Sequence, residues 1–573
     1  MRCLPLMVSV VVWVVASVVA SVVVGACGGD DGPAGPGPQG DATAHVSHYD
    51  YHFDIATRAA RAKVTAVLDT PGNCIVLALR PSIGAERFVL DGAPAAAGTS
   101  FIEGSAHLCS ERGHEAGEEM VIEAELVVPL ETLSTSQVGY SVTSDAQGNP
   151  FHYLVSWVGG CSRFGPCDER PDQFARYTFT VTHPDTLDAR CSGRVTEVSP
   201  TETRCEFEHD GGPTYSTFGI AAYPAWTQTP KGMWGSARVT LYDRAQTRID
   251  AAIDPAYHAG FVSFMESTFG AYPYGDELRI LTAPTYWSGF EHPGNIVLDD
   301  LLAVAASSYL HPVAHVLDHE IAHQWAGDET TIATTYDFVW KEAMAEYLTY
   351  VYEGMADVPA ATATVNAWKS FSVGARYFPV PAEQPALFDY YGDVYGPGPM
   401  IFFRQLEVLS SRAQVIAAIQ SVLGQPRALS VTELLAALET HTGLELDAYA
   451  AAWIHGTGAP DWPRARVTFT PGASTSTLRA TLTAGVARRC KFSVALAGTA
   501  STERVLVPID TFRSGPDQTI TIPTPAFAVT AIEIDPLREC IVLPALAAQA
   551  AQATPARRHP WLSARAGHPA PAR

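Results

Sequence analysis

Between His311 and His323 a histidine recurs at positions 311, 315, 319 and 323, and the last two enclose a glutamate in His319-Glu320-Ile321-Ala322-His323. On a helix, residues i and i+4 share a face, so both imidazoles can reach one ion while Glu320 stands beside it. Zinc in a hydrolytic site takes three protein donors and keeps a fourth position open for water. Glu342, in Trp340-Lys341-Glu342-Ala343, supplies the third donor if its helix packs beside the first. Its apolar neighbours Phe338, Val339, Met344, Tyr347 and Leu348 predict such burial, against a reading in which Glu342, Glu346 and Lys341 form a solvated face. His311 and His315 do not extend the donor set, because steps of four overshoot whole turns by about 40° each. His311 is expected to cap the helix start, with Pro312 at its first position. His315 is expected to pack or to support a ligand, and Glu346 either supports the ligands or faces water. Glu320, adjacent but not a ligand, is the candidate base that takes a proton from water and returns it to a leaving amine.

Several elements must position these residues. The 573-residue chain is 47% hydrophobic and 17% charged, a folded protein too long for one core. Its net charge of -23 leaves no basic footprint for nucleic acid. The β-branched segments Lys63–Leu68, Cys74–Leu79, Met120–Val128 and Tyr177–Val181 predict an antiparallel β domain over 45–225. Helical periods in Arg248–Phe269, Leu301–Ala326, Asp337–Glu353 and Met400–Leu423, with one strand at Glu277–Leu281, predict a mainly α catalytic domain over 226–462. A β pattern returns over 463–544 as a small sandwich, and the Ala/Pro/Arg-rich stretch 545–573 is expected to be disordered.

Residues 1–26 read as an export signal, with Arg2 followed by an apolar run from Leu4 to Ala26. The ending Val24-Gly25-Ala26-Cys27 resembles the lipobox of bacterial lipoproteins, which implies a lipid on Cys27 and a place on a membrane of the cell envelope. An uncleaved anchor and plain secretion are the alternatives, and all three put the folded part outside the cytoplasm. The Gly/Pro/Asp-rich stretch within 27–44 is expected to be a flexible tether. Eight further cysteines in an exported chain point to disulfides, and chain proximity favours Cys74–Cys109, Cys161–Cys167, Cys191–Cys205 and Cys490–Cys540.

Several segments agree in order with one known family: HEIAHQWAGD (His319–Asp328), WKEAMAEYL (Trp340–Leu348), the run Ser288–Asn295, Arg163–Pro171, Val394–Gly398 and Trp453–Pro460. The sequence resembles the aminopeptidase N family of gluzincins, which includes the leukotriene hydrolases. The resemblance spans about His45 to Leu543 and implies a multidomain fold: an N-terminal antiparallel β saddle domain, a thermolysin-like catalytic domain and a C-terminal β-sandwich. No helical fourth domain is expected. The same resemblance implies one zinc ion on His319, His323 and Glu342, with Tyr395 as hydrogen-bond donor to the oxyanion; Tyr390 and Tyr391 compete for that part. Gly289 and Glu291 match the substrate-binding segment, where Glu291 grips the α-amine. Ser288, Phe290, His292 and Ala326 depart from the usual residues, and Val155 and Ser156 stand where a Gln helps hold the amine.

The function so implied is a zinc-dependent aminopeptidase acting on peptides. An endopeptidase or broad-specificity peptidase of the same clan is the alternative, favoured by the lost Gln. A catalytically silent peptide-binding lipoprotein is a third reading, and the intact base and ligand set speak against it.

Overall fold

A computed structural model describes residues 37–81, 83–132, 138–145, 147–207, 211–285, 287–394, 398, 400–513 and 515–546. The export segment, Cys27, Tyr395 and residues 547–573 of the tail lie outside the described residues. The chain is multidomain, with strands dominating its N-terminal region and helices following.

The first region is built on an eight-stranded sheet. Alternation along its strands explains why one face becomes a core. Ala60, Ala62, Val64, Ala66 and Leu68 are the buried residues of strand Ala59–Leu68, and Met120, Ile122, Ala124 and Leu126 those of strand Glu119–Val127. The register pairs Val64 with Ile122 and Ala62 with Ala124, so both apolar rows fall on one side. The sheet is not purely antiparallel as expected. Strand Ala44–Asp54 runs parallel to Arg176–Thr182, and parallel neighbours need a long crossover, here the chain between them. A second, four-stranded sheet holds Pro150–Val155 between Gly139–Ser144 and Gly219–Tyr223.

The region bearing the metal-binding motif is less helical than its sequence implies. A five-stranded sheet joins Thr227–Trp234, Ala237–Asp243, Glu277–Ala283, Asn295–Asp299 and, at its edge, Gly289–Phe290. Asn295–Asp299 is buried throughout, and a short buried run has no alternation to betray it as a strand. The expected helix Arg248–Phe269 is broken: its main part is Pro255–Phe269, capped by Asp254, which accepts from the amides of Ala256 and Tyr257. Proline is tolerated at the first helical position and not further in. Of Leu301–Ala326 only Pro312–His323 is helical. Met400–Leu423 divides into Met400–Arg404, Gln405–Leu409 and Arg412–Gln420, the last capped by Ser411. Helix Phe338–Ala356 is buried on every side from Phe338 to Glu353, as a central core helix must be.

The C-terminal strands form one four-stranded and one three-stranded sheet. They are fastened to the helices by the buried Lys369–Asp535 ion pair, by Trp453 stacked on Trp462 at 5.5 Å and by the Trp462 indole N–H donating to the Ser372 carbonyl at 2.7 Å.

Cys74–Cys109, Cys161–Cys167, Cys191–Cys205 and Cys490–Cys540 are disulfides. Their loops differ widely, from a separation of 6 residues for Cys161–Cys167 to 50 for Cys490–Cys540. Chain entropy therefore predicts that replacing both members of Cys490–Cys540 by alanine costs about 4 kcal/mol, against about 2 kcal/mol for Cys161–Cys167. Denaturant midpoints of the two variants check the order, and an equal loss in both would contradict it.

Candidate metal and peptide site

Helices Pro312–His323 and Phe338–Ala356 lie side by side and bring His319, His323 and Glu342 together. The two Nε2 atoms are 3.0 Å apart, and each lies 3.5 Å from an oxygen of Glu342. Their tautomers follow from the other nitrogens. His323 Nδ1 is 3.0 Å from the Ala326 carbonyl, which can only accept, so Nδ1 carries the hydrogen. His319 Nδ1 likewise faces Glu346 at 2.9 Å. In the neutral rings both Nε2 atoms are then acceptors, pointing at each other and at a carboxylate. Three converging acceptors, all buried, fit one tetrahedral cation with a free fourth position. Among the described residues the other two groups of possible donors centre on cysteines that are disulfide-bonded.

Glu346 supports this set. It is fully buried and accepts from His319, from His315 Nε2 at 3.1 Å, from the Tyr309 hydroxyl at 2.8 Å and from the Trp368 indole. His315 also holds Glu353 at 2.8 Å through Nδ1. Burial opposes a charge on His315, but Glu346 and Glu353 push it up to about 9. His315 therefore supports a ligand without touching the metal position. His311 occupies the N-cap position with Pro312 in the first turn, as expected, but its side chain makes no cap bond and pairs instead with Asp357 at 3.3 Å.

The edge strand Gly289–Phe290 lies against Glu320. A Cβ on Gly289 would come within 2.4 Å of Glu320 Oε1, so glycine is what lets this edge lie against the candidate base. Gln324 clamps the following turn to the first ligand helix: its amide donates to the Glu291 carbonyl at 2.9 Å, and its oxygen accepts from the Gly294 amide at 2.9 Å and the Tyr272 hydroxyl at 3.0 Å. Glu291 thereby enters the site, but not as a free carboxylate. Lys341 Nζ lies 2.9 Å from Glu291 and 3.0 Å from Glu342.

Trp157 from the N-terminal region packs against Trp287, Phe338, Phe388 and Tyr391 at 4.7–5.5 Å between ring centres. It follows directly on Val155 and Ser156, which are themselves buried. Of the two neighbouring tyrosines, Tyr390 is buried and donates to the Pro379 carbonyl, away from the site. Burial, with the carboxylates of Glu342 and Glu320, pushes the Tyr391 hydroxyl well above its ordinary range.

The electrostatics ask for a cation. Burial pushes the Glu320 carboxyl up to about 8, opposed by His319 and Lys341 and reinforced by Glu291 and Glu342. Burial also works against Glu342, yet Lys341, His323 and His319 hold it well below the usual carboxylate range. Burial and Lys341 bring His323 down to about 3, whereas Glu342 and Glu346 overcome burial to push His319 up to about 10. A proton on His319 and a divalent ion are thus alternatives at the same place.

Lys341 and Gln324 are the residues that sequence reasoning missed. The signal for Lys341 is a charge beside Glu342 in a stretch whose apolar residues predict burial, which requires a buried partner for the ammonium. Glu346→Gln keeps the shape but loses the negative charge that fixes His319 and His315. It should weaken zinc binding by about 10- to 100-fold, measured by competition with a chromogenic chelator; unchanged affinity would remove this supporting role.

Comparison with known proteins follows the geometry. Residues 257–377 match the peptidase family M1 domain. Thyrotropin-releasing hormone-degrading ectoenzyme of Rattus norvegicus and of Homo sapiens is 29% identical over 206 residues, covering 32% of this chain and 18% of the relative. Legionella pneumophila aminopeptidase A, solved in complex with aspartic acid, has a TM-score of 0.69 at 13% identity, over 88% of this chain and 60% of that one. A mutant M1 zinc metallopeptidase of Deinococcus radiodurans, bound to a Tyr-Ser-Ala substrate, has a TM-score of 0.58 at 22% identity, over 73% and 95%. The matches thus span less than two thirds of the ectoenzymes and of the Legionella enzyme. The matched domain contains both ligand helices. Residues 257–377 are similar to the peptidase family M1 domain and the fold is similar to that of the two solved peptidases, which together support a metallopeptidase resembling the aminopeptidase N family.

Proposed function

We propose that the chain is a zinc-dependent aminopeptidase that hydrolyses peptides at the N-terminal residue, with one zinc ion on His319, His323 and Glu342. The observation that carries this reading is the convergence of three buried acceptors beside Glu320. Zinc supplies a Lewis acid for the scissile carbonyl and brings the pKa of water down to about 7. Glu320 takes the proton from the attacking water and delivers it to the leaving amine. The edge strand Gly289–Phe290 offers backbone donors and acceptors to an extended peptide, which aligns the carbonyl with Glu320. Glu291, held by Gln324 at the end of that strand, bounds the N-terminal side of the cleft. Tyr395 donates to the oxyanion on the strength of the Val394–Gly398 resemblance. Trp157, Trp287 and Phe338 exclude water from one wall.

The thermolysin-like catalytic domain, the N-terminal saddle and the C-terminal sandwich belong to the same reading, as does export with lipid attachment at Cys27. The four disulfides support an oxidising compartment. No helix among the described residues is long and apolar enough to cross a membrane. One observation favours broader specificity within the same chemistry: Glu291 already has a cation.

Glu320→Gln should lower kcat by about 10²- to 10⁴-fold with zinc content unchanged. Chelation should abolish hydrolysis of aminoacyl-fluorogenic substrates, and added zinc should restore it. Activity that survives both treatments would contradict the reading.

A further inference from the structure

Strands Gly72–Ala78, Ser105–His114 and Ser100–Ile102 form a small sheet in the N-terminal region. The register sets Cys74 opposite Cys109 and Val76 opposite His107, and positions two apart in a strand share a face. The Cys74–Cys109 disulfide therefore lies on the same face as His107 and Val76, the latter 61% exposed. His107 Nδ1 lies 3.7 Å from Cys109 Sγ and 3.3 Å from the Gly98 carbonyl, and Nε2 lies 2.7 Å from Asp41 Oδ1. A carbonyl and a carboxylate only accept, so the doubly protonated ring fills this arrangement, with one N–H beside the sulfur and Asp41 as counter-ion.

The two sulfurs are not equivalent. Cys74 is 8% exposed, against at most 2% for the other seven disulfide-bonded cysteines. Cys109 lies under the turn at Gly98, where a Cβ would come within 2.9 Å of its Sγ. Asn73 Oδ1 stands 3.6 Å from Cys74 Sγ. Each sulfur thus has a partner suited to its reduced state: an N–H for a thiolate on Cys109, and an acceptor for a thiol on Cys74.

We infer that Cys74–Cys109 is a thiol–disulfide exchange site whose co-reactant is an external dithiol, with Cys74 as the sulfur attacked and His107 as the donor that receives the charge leaving on Cys109. The inference is independent of the peptidase reading. One thiolate of the dithiol attacks Cys74 Sγ and forms a mixed disulfide. The S–S bond breaks, and Cys109 leaves with its electron pair as a thiolate beside the His107 Nδ1–H, which stabilises it as a neighbouring cation does. The second thiol of the dithiol loses its proton to water and attacks the first sulfur. Cys74 then departs as a thiolate and takes a proton from water. The dithiol is oxidised by two electrons to its own disulfide, and the cysteine pair is reduced by two. The backbone pairing of the strands, and the Ala42 amide donating to the Cys74 carbonyl at 2.8 Å, do not depend on the S–S bond. The domain therefore keeps its fold when the pair opens.

The test treats the full folded chain with dithiothreitol, traps new thiols with N-ethylmaleimide and maps them by peptide mass spectrometry. Cys74 and Cys109 should be labelled before the other three disulfides open, with the far-ultraviolet circular dichroism unchanged. Another pair opening first, or labelling of Cys74 and Cys109 only as the chain unfolds, would overturn the proposal. With glutathione, a monothiol, the mixed disulfide should map to Cys74 and the free thiol to Cys109; the reverse would overturn the assignment of the attacked sulfur. His107→Gln removes the charged hydrogen bond to the leaving thiolate and should slow reduction by about tenfold, whereas His107→Lys, which keeps a cation, should retain more of the rate. Asp41→Asn, on a side chain 81% exposed, should slow reduction without touching the sheet and decides the matter if His107→Gln does not fold. An unchanged rate in folded His107→Gln, or in Asp41→Asn where that variant decides, would overturn the part given to His107.

Discussion

Everything in the catalytic region is arranged around one electrostatic conflict. Two imidazole nitrogens, each left as an acceptor by the hydrogen bond on its other side, face each other at 3.0 Å with a carboxylate beside them. Buried acceptors without a proton or cation between them are strongly unfavourable. Lys341 donates to Glu342 from one side, but the Ala326 carbonyl and the Glu346 carboxylate leave both Nε2 atoms turned toward the centre. A site that maintains such a conflict has a cation as its natural occupant.

The supporting structure follows from the need to hold these groups without solvent. Helix Phe338–Ala356 carries Lys341, Glu342 and Glu346 through the centre of the core, where each buried charge must be matched. Glu346 is satisfied by His319, His315, Tyr309 and Trp368, and Lys341 is the cation beside Glu291 and Glu342. The edge strand Gly289–Phe290 can approach because Gly289 has no side chain. Trp157, from the N-terminal region, packs in the same apolar core as Phe338, so this part of the N-terminal region is continuous with the core around the site.

The meeting of His319 and His323 was legible because helix geometry makes spacing informative: positions four apart on Pro312–His323 must share a face. The burial of Phe338–Ala356 was legible from its apolar flanks. Strand Ala59–Leu68 could be read from alternation. The edge strand at Gly289–Phe290 and the buried strand Asn295–Asp299 could not, because two residues carry no period and a wholly buried strand shows no alternation. The parallel pairing of Ala44–Asp54 with Arg176–Thr182 joins segments far apart in sequence, which local patterns do not report. The part played by Lys341 could not be read for a related reason: its partner Glu291 lies 50 positions away in the chain.

The account turns on a single cation between His319, His323 and Glu342. X-ray absorption at the zinc edge on the purified chain, with zinc quantified per chain, tests this most directly. One zinc per chain is expected, with two imidazole nitrogens at about 2.0–2.1 Å and oxygen donors completing four-coordination. His323→Ala should remove the two-imidazole signature. A chain that binds no zinc, or that retains the same spectrum in His323→Ala, would contradict the account.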